Sequence, residues 1–401
     1  MSVEKVYVVR CGRSAIGKYL GTLSGGDAVD VCAQIIRGVV EPQWMNQIDD
    51  VILGSVLVAG MGQGPARKIA LTAGIPNEVP ASLVSMVCGS GMKAIQVAVQ
   101  EIQCGASAVL CGGFEFMSKA PYVTGGEVRS GVRMGNLALE DLMLKDGLVD
   151  SMLGIHMGVT AENIARELDI TREEQDAYSY EAIRRAISAV DSGVFREEII
   201  PVNVKVGKEM GSFSADEYPN RTSTPEKLAR LKPAFLKDGT VTAGNSSGLN
   251  DGCAVLLLAN EEWCRRNQCE PLFEIADVLA VGCDPATMGL GPVSAVSKIL
   301  KRNHLTLDEI GSVELNEAFA AQALGCVRMI SREWELSEQE LLERTNLWGS
   351  GLGLGHPLGM SGARLPITLM SRMKKEKTEW GIASLCVGGG MGLATLIHKI
   401  A

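Results

Sequence analysis

No apolar run in the 401-residue sequence approaches the roughly 18 residues that a membrane-crossing helix needs. There is no run of five lysines or arginines, and the formal net charge is −9. An acidic chain without a basic stripe argues against nucleic acid as the main partner, although a local basic pocket for an anionic ligand stays open. Histidine is scarce, with residues only at 156, 304, 356 and 398, and no C-x-x-C pair occurs. Zinc sites draw on closely spaced ligands, so no metal is expected. The opening MSVEKVYVVR lacks a charged segment followed by an apolar one and reads as a first strand, not a signal peptide. The closing HKIA is no peroxisomal tripeptide. The 11 cysteines are odd in number and scattered through a long chain. That pattern fits reduced thiols in a cytoplasm better than a disulfide framework, so a cytoplasmic location is expected.

Glycine is abundant, at 46 residues, and clusters at 60–64, 89–91, 349–362 and 388–392. Clustered glycine means tight turns and close backbone approach. The length suits two or three domains. Hydrophobic patterning alternates between strand and helix: strands at Val6–Arg10, Asp50–Ser55, Ala81–Val87 and Ala106–Cys111, and helices at Asp27–Val40, Ala66–Ala73 and Met92–Cys104. That rhythm is α/β. Residues 119–249 break it and read as an inserted lobe. The lobe carries a helical tract with a capping box, Thr171 with Glu174, and a loop-rich stretch at 205–245. Strands resume near 253–259, 273–281, 311–315 and 382–387. An internal echo points to two similar halves: CGSGMKAI opens a helix leading to ASAVLCGG, and LGMSGARLPITLM opens one leading to IASLCVGGG.

Three glycine-rich turns carry candidate chemistry. In SMVCGSGMKAIQVAV, Cys88 ends an apolar run and precedes a helix. Cysteine is usually just a small buried hydrophobe. At a helix start, however, free N–H groups and the dipole favour a thiolate, and small neighbours leave room for a substrate. The same turn loosely matches a dinucleotide fingerprint at Gly89, Gly91 and Ala94, but no acidic residue follows at the expected distance. In GLGLGHPLGMSGAR, His356 sits between glycines and ahead of Pro357, held and approachable as the base that a cysteine nucleophile needs. In CVGGGMGLA, Cys386 again ends a strand before glycines. In LNEAFA, Asn316 and Glu317 follow a strand, placed to orient a water or a histidine, or simply to start a helix.

With these residues in view, the chain resembles a thiolase of the biosynthetic acetyl-CoA acetyltransferase kind. The resemblance runs through VCGSGMKAI, HMGVTAENIA, KLARLKPAF, VTAGNSSGLNDG, MGLGPVSAV, ELNEAFA, GHPLGMSGAR and CVGGGMGLA, in that order. It implies a thiolase fold: two similar α/β halves, each with a central mixed sheet, spanning 1–118 with 250–270 and 271–401, plus the lobe 119–249 for CoA binding and oligomerisation. It implies reversible condensation of two acetyl-CoA to acetoacetyl-CoA and CoA, with ping-pong kinetics. Cys88 would carry the acyl group, His356 would activate it, and Cys386 would move the α-proton. The backbone N–H groups of Cys88 and Gly388 would form one oxyanion hole. His356 and a water held by Asn316 would form the other. Leu148, His156, Met157, Arg221, Phe235, Ala243 and Ser247 would contact CoA. Met157, Met288, Ala318 and Phe319 would wall a short acyl pocket. Acyl-CoA and CoA would be substrates, with no separate cofactor and no membrane partner. Residues 120–148 match a stretch that builds tetramers, so a homotetramer is expected.

One segment departs from the family pattern N-x-N-G-G-A-x-A-x-G-H-P. Here it reads NLWGSGLGLGHP, with Trp348 for the second Asn, Ser350 for a Gly, and Gly351 and Gly353 for alanines. Altered packing near His356 is expected. Three other readings have different requirements. A ketoacyl synthase lacks the second active cysteine. A non-enzymatic CoA binder does not need all four of Cys88, His356, Asn316 and Cys386. A thiol redox protein needs a resolving cysteine near Cys88, a part open to Cys386.

Overall fold

The computed structural model describes residues 4–400. Residues 1–3 and 401, the outermost parts of the two chain-end readings above, lie outside it. Ten strands form its main sheet: β1 (Tyr7–Arg13), β2 (Gly17–Lys18), β3 (Asp50–Gly54), β4 (Ala81–Val84), β5 (Ala108–Phe116), β6 (Asn250–Ala259), β7 (Phe273–Gly282), β8 (Ile310–Leu315), β9 (Trp380–Val387) and β10 (Met391–Lys399). The principal helices are α1 (Ala28–Val39), α2 (Pro65–Ala73), α3 (Ser90–Gln103), α4 (Met157–Glu167), α5 (Arg172–Ser192), α6 (Gly291–Arg302), α7 (Ala320–Glu333) and α8 (Leu358–Glu376). Local chemistry explains several helix ends. Asp27 accepts the Val29 and Asp30 N–H groups at the start of α1, and the Thr171–Glu174 capping box opens α5.

Strand order shows the two halves. In the first it runs β1-β6-β5-β3-β4, and in the second β7-β10-β9-β8. In both, the first three strands pair antiparallel and the next pair, β5–β3 or β9–β8, is parallel. Thr345 pairs in parallel with Val313 of β8, where β4 pairs with β3 in the first half. The two sheets are not separate: Tyr7 and Val8 of β1 pair with Glu274 and Phe273 of β7, which joins them into one hydrogen-bonded sheet.

Burial follows the pleat. On β5, Val109 and Cys111 face one core with α3 and α8, whereas Ala108 and Leu110 face another with α1 and α2. A third core lies between α6, α7 and the far face of the second half's strands. The two central helices are therefore sandwiched between the halves, and both faces of each sheet are covered. Between β5 and β6 the chain leaves this sheet, touching it again through a parallel bridge of Ile199 with Arg13 of β1. It builds α4, α5, a hairpin at Val202–Val206 and Glu209–Phe213, and a short helix at Pro225–Ala229.

Two boundaries differ from expectation. The first strand of the Cys88 unit stops at Val84, not Val87, and is only half-buried at the sheet edge. The strand expected to end before Gly112 runs on to Phe116, with Gly112 at φ +154°. A Cβ on Gly112 would strike the β6 backbone, so only glycine continues the strand there.

The central helices touch through glycine. A Cβ on Gly91 of α3 would lie 2.7 Å from the Gly359 carbonyl oxygen and 2.9 Å from the Ala363 nitrogen, both backbone atoms of α8. Gly91→Ala is therefore expected to destabilise the fold by about 1–3 kcal/mol through overpacking. Gly282→Ala is the control: its Cβ meets nothing within 4 Å, and its effect should stay within about 0.5 kcal/mol. Denaturant midpoints of the two variants test this, and equal midpoints would contradict the tight contact.

Candidate active site

The turn that presents Cys88 is built by Ser90. Its hydroxyl donates to the Val87 carbonyl at 2.7 Å and accepts the Met86 N–H at 2.8 Å. Those bonds replace the strand ladder and bend the chain into α3. Val87 is left at φ +46°, a region that strains a β-branched residue. A Cβ on Gly89 would lie 2.7 Å from Leu393 and 2.9 Å from Val387, so glycine lets the turn press against the ends of β9 and β10. Those ends carry Cys386, followed by Gly388, whose N–H is directed at the Cys88 sulfur.

His356 arrives from the other half. Its backbone N–H donates to Asn250 Oδ1 at 2.9 Å, and Asn250 Nδ2 donates to the Gly17 carbonyl at 3.0 Å. The ring is fixed by Ser361: Nδ1 and Oγ are 2.6 Å apart, while that hydroxyl donates to the Pro357 carbonyl at 2.9 Å. One hydroxyl has one proton, so Ser361 accepts from Nδ1–H and the imidazole keeps Nε2 bare. Nε2 faces the side-chain nitrogen of Asn316 at 3.3 Å. Asn316 Oδ1 is buried and has no partner among the described residues.

Burial sets the charge state. Desolvation pushes the Cys88 thiol up to about 12, although the N–H groups of Gly388 and of Cys88 itself pull it down. Burial also pushes Cys386 well up, with Cys88 nearby adding to the effect. Burial, helped by the Arg364 charge, pushes His356 down to about 3. The expectation of a thiolate at the helix start is therefore corrected: the local donors act in the expected direction, but desolvation outweighs them and the resting pair is thiol and neutral imidazole.

One cavity of about 410 Å³ gathers most of the expected residues. Cys88, His356 and Cys386 open into it. Leu148, His156, Met157, Phe235, Ala243, Ser247, Met288, Ala318 and Phe319 line it as well. His156 stacks on Phe235 with ring centroids 4.7 Å apart, and Phe235 meets Phe319 edge-on at 6.1 Å. Arg221 is not in this cavity. It lines a neighbouring groove of about 760 Å³ that shares Ala243 and Ser246 with it, and it is paired there with Asp191. Met117 and Met143 also line the cavity and were not expected. Neither Asn250 nor Ser361 was singled out from the sequence. Ser361 lies within the quoted histidine motif and Asn250 within the quoted VTAGNSSGLNDG, but Asn250 is 106 residues from the histidine it clamps, and nothing in either motif signals that pairing.

The departing loop packs against α5, α8 and the Asn316–Glu317 segment. Trp348 lies edge-on to Phe195 at 5.8 Å, with the Lys375 ammonium 5.7 Å from its ring centre. Ser350 Oγ accepts from Arg364 at 3.0 Å. A Cβ on Gly351 would lie 2.5 Å from the Glu317 carbonyl oxygen, and one on Gly353 2.5 Å from that of Ala182 in α5. Alanines at these positions would collide, so the loop sits closer to its neighbours than alanine allows.

Comparisons with known proteins bear on the family and the overall fold. Residues 6–262 match the model for the thiolase N-terminal domain, and residues 269–399 match that for the thiolase C-terminal domain. An acetyl-CoA acetyltransferase of Pseudomonas aeruginosa is 44% identical, covering 99% of this chain and all of its own. One from Escherichia coli is 42% identical with the same coverage. Among solved structures, the Bacillus anthracis acetyl-CoA acetyltransferase superposes with a TM-score of 0.94 at 39% identity, covering 100% of both chains. Human mitochondrial 3-ketoacyl-CoA thiolase superposes with 0.93 at 37% identity, covering 99% of this chain and 100% of its own. With both domain models spanning nearly its whole length, the chain belongs to the thiolase family.

Proposed function

We propose that this thiolase is an acetyl-CoA C-acetyltransferase, an acyltransferase that reversibly joins two acetyl-CoA into acetoacetyl-CoA and CoA. The observation that carries the reading is the convergence of two thiols and a bare imidazole nitrogen on one cavity. Cys88 attacks the acetyl thioester while Nε2 of His356 takes its proton. Because the free thiol resists ionisation, proton transfer accompanies attack and does not precede it. The Gly388 and Cys88 N–H groups stabilise the oxyanion on the acyl-enzyme side. CoA leaves with the proton of Cys386, and the Cys386 thiolate so formed removes an α-proton from the second acetyl-CoA. His356, now carrying the Cys88 proton on Nε2, and a water on the unpartnered Asn316 oxygen hold the resulting enolate. The carbanion then attacks acetyl-Cys88, and the released Cys88 sulfur recovers its proton from His356. No separate cofactor enters this scheme.

Several finer features belong to the same proposal. CoA runs from the cavity into the neighbouring groove, where Arg221 exchanges Asp191 for a CoA phosphate. Met157, Met288 and Phe319 restrict the acyl group to short chains. Tyr122, Met134, Leu137 and Leu139 are exposed on the 120–148 stretch, and such a patch is satisfied by burial in a homotetramer. A cytoplasmic location, with a role in lipid metabolism, suits the 11 free cysteines.

Two experiments test the proposal. Thiolysis of acetoacetyl-CoA by CoA should be fast in the wild type and slower by about 10²–10⁴-fold in Cys386→Ser, the range for loss of a general acid–base. Full activity in that variant would remove Cys386 from the mechanism. Cleavage of acetoacetyl-CoA should also exceed that of 3-ketohexadecanoyl-CoA in kcat/KM by at least about tenfold, a difference of some 1.4 kcal/mol in the transition state. Equal values would favour a long-chain 3-ketoacyl-CoA thiolase instead.

A further inference from the structure

Close to the reacting groups lies a buried carboxylate that this mechanism does not use. Glu115, near the end of β5, is fully buried. Its Oε1 accepts the Ser55 hydroxyl at 3.1 Å and the Leu57 N–H at 3.0 Å. Its Oε2 accepts the Val56 N–H at 3.1 Å and the Gly359 N–H at 3.0 Å. Gly359 is the second residue of α8, three after His356. One carboxylate thus ties the loop after β3 to the helix start that carries the histidine turn.

We infer that Glu115 is a positioning residue for the acyl transfer proposed above, holding the His356 turn in register with Cys88 only while its carboxylate is ionised. The hydrogen-bond inventory gives the reason. The three N–H groups can only donate, and no Lys or Arg among the described residues pairs with Glu115. A protonated carboxyl needs an acceptor for its own hydrogen, and only the Ser55 oxygen can serve. Oε1 already faces that oxygen, so protonation reverses the Ser55 bond, and the N–H contacts, the Gly359 one included, lose the charge that strengthens them. The Gly359 contact is also the one favoured by the positive end of the α8 dipole, so it is the contact most sensitive to loss of charge.

The titratable groups on the surrounding elements are few. Cys88 at the start of α3 feels the Glu115 charge, which raises its pKa. His356 precedes α8. On β6, Asp251 and Cys253 flank Gly252, the register partner of Glu115. The Ser55–Leu57 loop carries none. Burial moves the Glu115 carboxyl up to about 7, against the pull of its four donors. Cys88 near 12 and His356 near 3 lie far from that value. Of these three groups only Glu115 ionises near neutrality, so with its ionised form active the rate should rise as pH passes upward through about 7; Glu314, buried and moved to about the same value, is told apart by the Glu115→Gln variant, which leaves it in place.

The test uses two rates measured from pH 5.5 to 8.5. One is thiolysis of acetoacetyl-CoA; the other is alkylation of Cys88 by iodoacetamide, read by peptide mass, which needs no turnover. Wild type should show a break near pH 7 in both, superimposed for alkylation on the steady rise of a thiol that ionises near 12; the break is the limb followed in the variants. Glu115→Gln cannot titrate and should lose it, with kcat lower on the order of ten- to a hundredfold from misplacement and KM little changed. Ser55→Ala, a milder change that guards against a misfolded Gln variant, removes one donor to the anion and should shift the limb to higher pH. An unmoved limb in Ser55→Ala, or one retained in Glu115→Gln, overturns the inference. A wild type that alkylates with a shifting limb but does not cleave acetoacetyl-CoA sinks the proposed activity and leaves the role of Glu115 standing.

Discussion

At the centre of the molecule the Gly91 and Gly359 backbones approach more closely than any side chain allows, and Gly113 of β5 lies against the same Gly359 carbonyl. This contact places the starts of α3 and α8 beside one another. Each helix follows a turn that carries a reactive side chain, Cys88 in one half and His356 in the other. Each also leads into a strand of its own sheet, β5 or β9. The third reactive group, Cys386, lies at the end of β9. The convergence of the three groups follows from pairing two like units about their glycine faces. A methyl group inserted there would act on stability and on site geometry together.

The same packing controls reactivity. With the halves pressed together, the thiols and the imidazole are all nearly excluded from water. Desolvation disfavours every charged form, so the site rests neutral in spite of a helix N-terminus and aimed N–H donors. Neutrality suits the chemistry. A free thiolate beside a second thiol and many possible electrophiles would be consumed, whereas a thiol that ionises only as a thioester arrives is not. In the proposed mechanism the N–H donors act on the oxyanion, where charge appears only during reaction.

Much of this was legible in the sequence because it is local. The Thr171–Glu174 box, the α/β rhythm and the glycine clusters each depend on residues a few positions apart, and each is found. The strand end at Val84 was misread because the apolar run continues through Val87, while the competing side chain, Ser90, lies beyond it. Charge state was misread for a different reason: helix ends are visible in a sequence, but depth of burial is a property of the assembled halves. Long-range clamps such as Asn250 on the His356 backbone leave no spacing to read. Arg221 was grouped with the cavity residues by resemblance alone, and only the fold separates its groove from the reacting groups.

The loop at 346–355 shows how the family site tolerates change. Gly351 and Gly353 remove volume on the inner side, which lets the backbone close on Glu317 and α5. Trp348 adds volume on the outer side, filling space against Phe195 under Lys375. Ser350 supplies an acceptor to Arg364, a buried guanidinium whose Nη1 is ion-paired with Glu314 at 3.5 Å and whose Nε has no hydrogen-bond partner among the described residues. These changes form a compensating set, since a buried cation without an acceptor or a loop with a void would each cost stability. The retained Asn346 still clamps β8 by donating to the Leu315 carbonyl and accepting its N–H, and it also donates to Glu317. His356 and Asn316 are held by Asn250, Ser361 and the Ser384 carbonyl, none of which belongs to the altered loop. The substituted positions therefore set how the loop packs, while the groups that hold His356 and Asn316 in place lie outside it.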